Sequence, residues 1–221
     1  MFDHVTVRAA DAAASERFYA TVLEGLPVGD WRAGFRIEQA AGDAEVTRHL
    51  HVAFVTSSRE QVDGFWQAGV GTGYASDGAP GPRAIYSESY YGGFLLDPDG
   101  NSAEAVHHGR ERHPGPAIDH MWIGVAELDA ALRFWETIAP PLGLTVYGHR
   151  RERFHVGARD RSFALVADGR PATSNLELAF PVADVAEAHA MRDTAIAAGW
   201  RDDGDSVLDP DGTRVVPIAA R

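Results

Sequence analysis

The 221-residue chain carries the same ordered set of segments twice, and that duplication limits its folds more than any other feature. Asp3-His4-Val5-Thr6-Val7 returns as Asp119-His120-Met121-Trp122-Ile123, and Arg17-Phe18-Tyr19 returns at the same offset as Arg133-Phe134-Trp135. Leu50-His51-Val52-Ala53-Phe54 is answered by Leu176-Glu177-Leu178-Ala179-Phe180. Asp97-Pro98-Asp99-Gly100-Asn101 is answered by Asp209-Pro210-Asp211-Gly212-Thr213. Matches in the same order imply two repeated halves, and the length suits two domains of ordinary size. The expected division is a first domain at 1–109, a linker at 110–117 and a second domain at 118–221. The run Gly109 to Pro116, rich in Gly, Pro, Arg and His, marks the joint.

Inside each half the pattern repeats again on a finer scale. A short alternating strand opens each half, at His4–Arg8 and His120–Gly124, and a helix follows. Asp11 suits the N-cap of the first helix, where Phe18 with Val22 and Tyr19 with Leu23 give apolar pairs on one face. Leu128, Leu132, Trp135 and Ile138 form the matching face in the second half, and Pro140-Pro141 stops that helix. Trp31 to Ala40 reads as one or two strands turning at Ala33-Gly34, and Gly42 to Thr47 as loop. His49–Thr56 starts the pattern anew. It leads into a helix at Ser58–Gly69 and strands around Arg83–Tyr86, Gly92–Leu96 and Ser102–His107. Asp97-Pro98-Asp99-Gly100 is a tight turn, with Pro presetting φ and Gly accepting the positive φ that follows. Four strand-helix-strand units result. The second half is shorter between Trp200 and Pro210, so a strand or loop of its last unit is expected to be trimmed.

Composition bears on what such a protein can bind. Hydrophobic residues at 45% and charged residues at 24% are the balance of a soluble globular protein. A net charge of −12 with no basic stripe argues against nucleic acid, whose binding rests on phosphate neutralisation. The absence of cysteine excludes disulfides, thiolate metal sites and cysteine nucleophiles. Nothing near the start resembles a signal peptide, and no apolar run suits a membrane helix. A cytoplasmic protein with a small-molecule partner is expected.

The two halves differ where chemistry would sit. His51 faces Glu177 across the repeat, and Glu104 after the first Asp-Pro-Asp-Gly turn faces Val216 after the second. The first half thus keeps His4, His51 and Glu104, whereas the second keeps only His120 of that set. Two imidazoles and one carboxylate form a facial set for a divalent ion such as Fe, Mn, Zn or Ni, leaving positions open for substrate. His4, His51 and Glu104 are therefore the expected metal ligands. His120 and Glu177 are expected to form an incomplete counterpart, made unfit by Val216, which has no lone pair. Tyr86, Tyr90 and Tyr91 are candidates to line the pocket and bond a substrate oxygen, and Arg36 and Arg83 to hold a substrate anion. Phe65 and Trp66 are expected in the core. His107, His108 and His113 are expected to be solvated linker residues.

The series His4, Arg17-Phe18-Tyr19, Leu50-His51-Val52-Ala53-Phe54, Tyr90-Tyr91, and Asp97-Pro98-Asp99-Gly100-Asn101 followed by Glu104 resembles the glyoxalase/bleomycin-resistance/extradiol-dioxygenase group, the vicinal oxygen chelate superfamily. The resemblance spans residues 3–107 and, more weakly, 118–219. It implies an α+β fold of tandem domains, each built of paired βαβββ modules whose curved mixed sheets close around a metal. It implies ligands from the first strand of one module and the first and last strands of the next, where His4, His51 and Glu104 stand. Glyoxalase I kinds add a fourth ligand in the last strand of the first module, for which Glu38 is the candidate. The implied function is a metal-dependent enzyme chelating a small oxygenated substrate, either a lyase or isomerase or a ring-cleaving oxygenase. Catalytic roles fall to Glu104, Glu38 and Tyr91. The alternative is a non-catalytic antibiotic binder; a scaffold is a weaker reading, and pairing between chains would give a homodimer.

Overall fold

Four modules follow one another along the chain. The first holds β1 (His4–Ala9), α1 (Ala12–Val22), a one-turn helix α2 (Trp31–Gly34) and β2 (Phe35–Gln39). The second holds β3 (Leu50–Val55), α3 (Arg59–Gly71), β4 (Ser76–Pro82), β5 (Tyr91–Leu96) and β6 (Ser102–His107). The third holds β7 (Ile118–Gly124), α4 (Leu128–Ile138), β8 (Thr145–Tyr147), β9 (Arg153–Ala158) and β10 (Arg161–Val166). The fourth holds β11 (Glu177–Val182), α5 (Val185–Ala197), β12 (Arg201–Asp203), β13 (Ser206–Leu208) and β14 (Arg214–Ala219). This computed structural model describes residues 1–110, 117–158 and 161–220, so most of the expected linker, with His113, lies outside the described residues. The fold is α+β, with its strands in two mixed sheets of six and eight.

Local chemistry sets the helix starts. Asp11 accepts from the Ala14 N–H at 2.9 Å. Ser58 accepts from the Gln61 N–H while the Gln61 side chain reaches back to the Ser57 N–H at 2.7 Å. Asp184 and Glu187 make the same reciprocal pair at α5, with Glu187 reaching the Ala183 N–H. Each pair satisfies donors that a helix start leaves open.

Two sequence expectations change. Trp31–Gly34 is helical rather than extended, because Arg32 stacks on Trp31 and bonds Glu16 on α1, drawing the buried indole against Tyr19. Residues Arg83–Tyr86 form a turn instead of a strand. Tyr86 N–H bonds Arg83 O, Arg83 N–H bonds Tyr90 O, and the strand lies earlier, at Ser76–Pro82. The trimming expected in the last module is present: β12 and β13 are three residues each with two residues between them, against eight between β4 and β5; among the described residues the first module has one strand after its helices.

Two compact units arise from these modules, Arg8–Met121 and Met1–Val7 with Trp122–Arg221. Strands β1 and β7 each run from one unit into the other. In the first unit the order is β4-β5-β6-β3-β7, with β3 and β6 parallel and β5 antiparallel to β4 and β6. Its core joins Phe18, Tyr19, Phe35, Phe54 and Phe65, all at most 2% exposed. Helix α3 lies so close to β5 that a Cβ on Gly69 would overlap the Leu95 side chain. In the second unit β1 pairs antiparallel with β11, β11 parallel with β14, and β7 parallel with β10. Trp135, Phe163 and Phe180 fill its core.

The repeated turns pin these strands. Asp97 Oδ1 accepts from the Asp99 and Asn101 N–H groups at 2.9 and 2.8 Å, and Gly100 takes φ +83°. Asp99 reaches the Ala10 N–H, and Asn101 bridges Leu50 N–H to Thr47 O. The motif therefore fixes where β3 and β6 start. Asp209 and Asp211 repeat these bonds in the second unit, the latter to the Ala126 N–H.

Candidate metal centre

Strands β3 and β6 pair with His51 opposite Ser102 and Ala53 opposite Glu104. Side chains alternate along a strand. Val52, Phe54, Ala103 and Ala105 are sent to the core without exposure, and His51, Ser102 and Glu104 meet on the other face. His51 Nε2 lies 3.1 Å from Glu104 Oε2, and its Nδ1 lies 3.2 Å from Ser102 Oγ. Ser102 Oγ in turn donates to Asp77 at 2.7 Å.

Strand β7, the neighbour of β3, delivers the third group. His120 Nε2 stands 3.6 Å from Glu104 Oε2, and its ring centroid 5.6 Å from that of His51. One donor atom from each of His51, Glu104 and His120 falls within 4.8 Å of the others. Glu104 is 1% exposed. A carboxylate so buried needs cationic or hydrogen-bonding partners, and it has them: Tyr90 donates to Oε1 at 2.8 Å, while Oε2 faces the two imidazoles. Burial, then the charge and hydrogen bond of Glu104, push the Tyr90 phenol well above its usual range, so it remains a donor. Gly92 completes the cradle, since a Cβ there would overlap Glu104 Oε1.

Asp119 backs His120. Its carboxylate takes the His120 Nδ1–H at 2.9 Å and the His108 Nε2–H at 3.0 Å. Burial raises the Asp119 pKa, but the bonds and charges of the two histidines outweigh it and hold the group below the usual carboxylate range.

The expected third partner, His4, is not in this group. It lies in the other unit on β1, its Nδ1 2.6 Å from Asp3 and its Nε2 3.9 Å from Glu177. The reason is strand pairing: β1 pairs with β11, which carries Glu177, while β3 has β7 beside it. His120, expected to stand with Glu177 in an incomplete site, takes the place given to His4. Because Asp119-His120 echoes Asp3-His4, the dipeptide does not tell the two apart, and strand order alone separates them. Glu177 is engaged by Thr6 and by Arg214, whose guanidinium also bonds Asp203 and Asp205.

The other candidates scatter. Glu38 and Arg36 are exposed on β2. The Tyr91 hydroxyl donates to Asp63 on α3 at 2.9 Å, on the β5 face away from Gly92. Arg83 donates to Ala79 O and lies over the Phe94 ring. Tyr86 is 46% exposed, with its ring 4.9 Å from Tyr90. Phe65 is in the core as expected, but the Trp66 indole N–H bonds Ser76 at the helix edge. His108, expected in solvent, is the partner of Asp119.

No family model and no curated protein matches the sequence. Solved structures do. A glyoxalase I variant from Zea mays aligns over 99% of this chain and 92% of its own, at 18% identity and a TM-score of 0.70. Zea mays glyoxalase I itself gives 16% identity, 99% and 92% coverage, and a TM-score of 0.68. The chain has the tandem vicinal-oxygen-chelate fold. A Bacillus subtilis protein assigned as a dioxygenase shares that fold at 14% identity and a TM-score of 0.60, over 99% of this chain and 86% of its own. The vicinal-oxygen-chelate fold accounts for the repeated modules, and His51, Glu104 and His120 all stand on its module-opening and module-closing strands.

Proposed function

We propose that the chain is a metal-dependent enzyme of the glyoxalase or dioxygenase kind, in which His51, Glu104 and His120 hold one divalent ion that a small oxygenated substrate chelates through two neighbouring oxygens. The convergence of those three donor atoms, from three strands distant in sequence, carries the reading. The donor set fits: imidazole and carboxylate suit Fe(II), Mn(II), Ni(II) or Zn(II), and three protein ligands leave open positions. Each ligand also has its remote atom bonded by the protein, which leaves the inward atom for an ion. A bound ion would supply Lewis acidity to a carbonyl or hydroxyl of the substrate.

The protein's own part is to bind and orient. Glu104 is held as a ligand, with one oxygen taken by Tyr90 and the other facing the imidazoles, and so is poorly placed to swing as a base. Tyr90 keeps that carboxylate in one orientation. Beside it the half-exposed Tyr86 ring offers a flat apolar surface to an organic substrate.

Elemental analysis of protein purified without added metal tests the reading. One divalent ion per chain is expected, lost in His51→Ala. Iron would direct assays to oxygen-consuming ring cleavage, nickel or zinc to lyase or isomerase chemistry. Protein that binds none of these ions, even when they are supplied, overturns the reading.

A further inference from the structure

A chain of polar contacts runs outward from His120 through Asp119 to His108. His108 follows directly on β6, the strand of Glu104, and Asp119 precedes His120 on β7. The Asp119 carboxylate, with its side chain 6% exposed, lies between the two imidazoles at 2.9 and 3.0 Å. A carboxylate only accepts, so both imidazoles must donate to it. His120 is thereby fixed with its proton on Nδ1 and its lone pair on Nε2, the atom facing Glu104. The other side of His108 packs edge-on against Tyr90, with ring centroids 5.2 Å apart and an interplanar angle of 89°. Tyr90 is the donor to Glu104. One continuous set of contacts therefore links two of the three candidate ligands behind the site.

We propose that His108 and Asp119 are positioning residues that set the tautomer and aim of His120 and tie the β7 ligand to the β6 ligand. The role rests on the metal reading above. Outer partners of this kind commonly raise metal affinity about 10–100-fold by orienting a ligand and fixing its tautomer. His108 acts through Asp119: its N–H shares the carboxylate's charge and holds it against His120, and its ring braces Tyr90.

The full chain with Co(II) as the probe provides the test, reading affinity by chelator competition and geometry by visible absorption. Asp119→Ala is expected to lose about 10-fold or more in affinity. His108→Phe keeps a ring against Tyr90 but loses the N–H, and is expected to weaken binding severalfold and change the Co(II) spectrum. His108→Gln restores a donor and is expected to recover most of the affinity. Wild-type affinity and spectrum in His108→Phe would overturn the proposal by showing that the ring only packs, as would equal weakening in the Gln variant, because a restored donor would then count for nothing. If Asp119→Ala fails to fold, the two His108 variants decide. Should the wild type bind no Co(II), the metal reading fails separately, and 15N spectra of the histidines in metal-free protein still decide the positioning role. They are expected to show the His120 proton on Nδ1 in wild type and a mixture of tautomers in Asp119→Ala; an unchanged tautomer overturns it.

Discussion

Adding one methyl group at Gly92 should cost both stability and metal binding. The new Cβ would overlap Glu104 Oε1 and lie 3.2 Å from Tyr90 Cε1 and 3.3 Å from Phe94 Cζ. A flexible side-chain tip usually yields to such a clash at little cost. Glu104 is not such a tip: it is 1% exposed, one oxygen is held by Tyr90 and the other by His51. Displacing it breaks a hydrogen bond to a buried charge, about 1.5–3 kcal/mol, and overpacks the cradle, about 1–3 kcal/mol. Replacing a strand glycine returns about 0.5–1 kcal/mol of chain entropy. The net cost of Gly92→Ala is then about 2–5 kcal/mol, which should lower the melting temperature by at least roughly 4 °C in a chain of this size. Scanning calorimetry of the metal-free protein reads the loss, and a Co(II) titration should show weakened binding alongside it. Gly81→Ala is the control, because its methyl meets only the Arg83 guanidinium tip at 3.1 Å; it should stay within about 1 kcal/mol of wild type. A Gly92→Ala protein with unchanged melting and unchanged Co(II) binding would refute the cradle.

His120→Ala should abolish metal binding by elemental analysis while His4→Ala leaves it intact; the reverse pattern would place the ion with the wrong histidine. Arg214→Met should destabilise the protein by about 1–3 kcal/mol in urea unfolding, by stripping Glu177 of its guanidinium partner, without changing metal content. A pH effect follows from Asp209, which burial pushes up to about 6 and whose Oδ2 has no hydrogen-bond partner among the described residues. Unfolded, this carboxyl titrates near its usual value of about 3.9. Its folded pKa is raised, so its stabilising contribution is full below about pH 4 and lost as pH rises through about 6. Asp209→Asn stays neutral and can still accept through Oδ1, so it should exceed wild-type stability at pH 7.5 by up to about 3 kcal/mol and match it near pH 4; thermal melts at both values showing no gain at 7.5 would refute this.

Much of the fold was legible because local and tertiary signals agree. Asp11 and Ser58 cap the helices they were expected to start, and the Asp-Pro-Asp-Gly turns announce the strand after them. Where they disagree, the sequence misleads. Strand β4 reads Ser-Asp-Gly-Ala-Pro-Gly-Pro, which has neither alternation nor β-branched residues, and it exists because β5 pairs with it through two register shifts. Trp31–Gly34 begins on one aromatic and is followed by another, Phe35, both strand-like, yet an ion pair to α1 accompanies a helical turn there.

The site was legible in its residue types and obscure in its pairing. An Asp-His dipeptide opens both halves, and nothing local says which of the two will stand beside β3; strand order decides, through contacts distant in sequence. The same register shows why the second constellation differs. Glu177 lies opposite Arg214 as His51 lies opposite Ser102, and Val216 opposite Ala179 as Glu104 lies opposite Ala53. In one place a hydroxyl orients an imidazole whose inward nitrogen is left for a cation. In the other, the carboxylate meets a guanidinium that the chain itself provides, bonded to Asp203 and Asp205 as well. A fixed positive charge there satisfies Glu177 without any ion, and Val216 removes the second acid. The duplicated framework thus sets different charge partners at equivalent positions, a guanidinium on a partly buried carboxylate in one half and two imidazoles on a fully buried one in the other, and the set of His51, Glu104 and His120 is the one proposed to hold a metal.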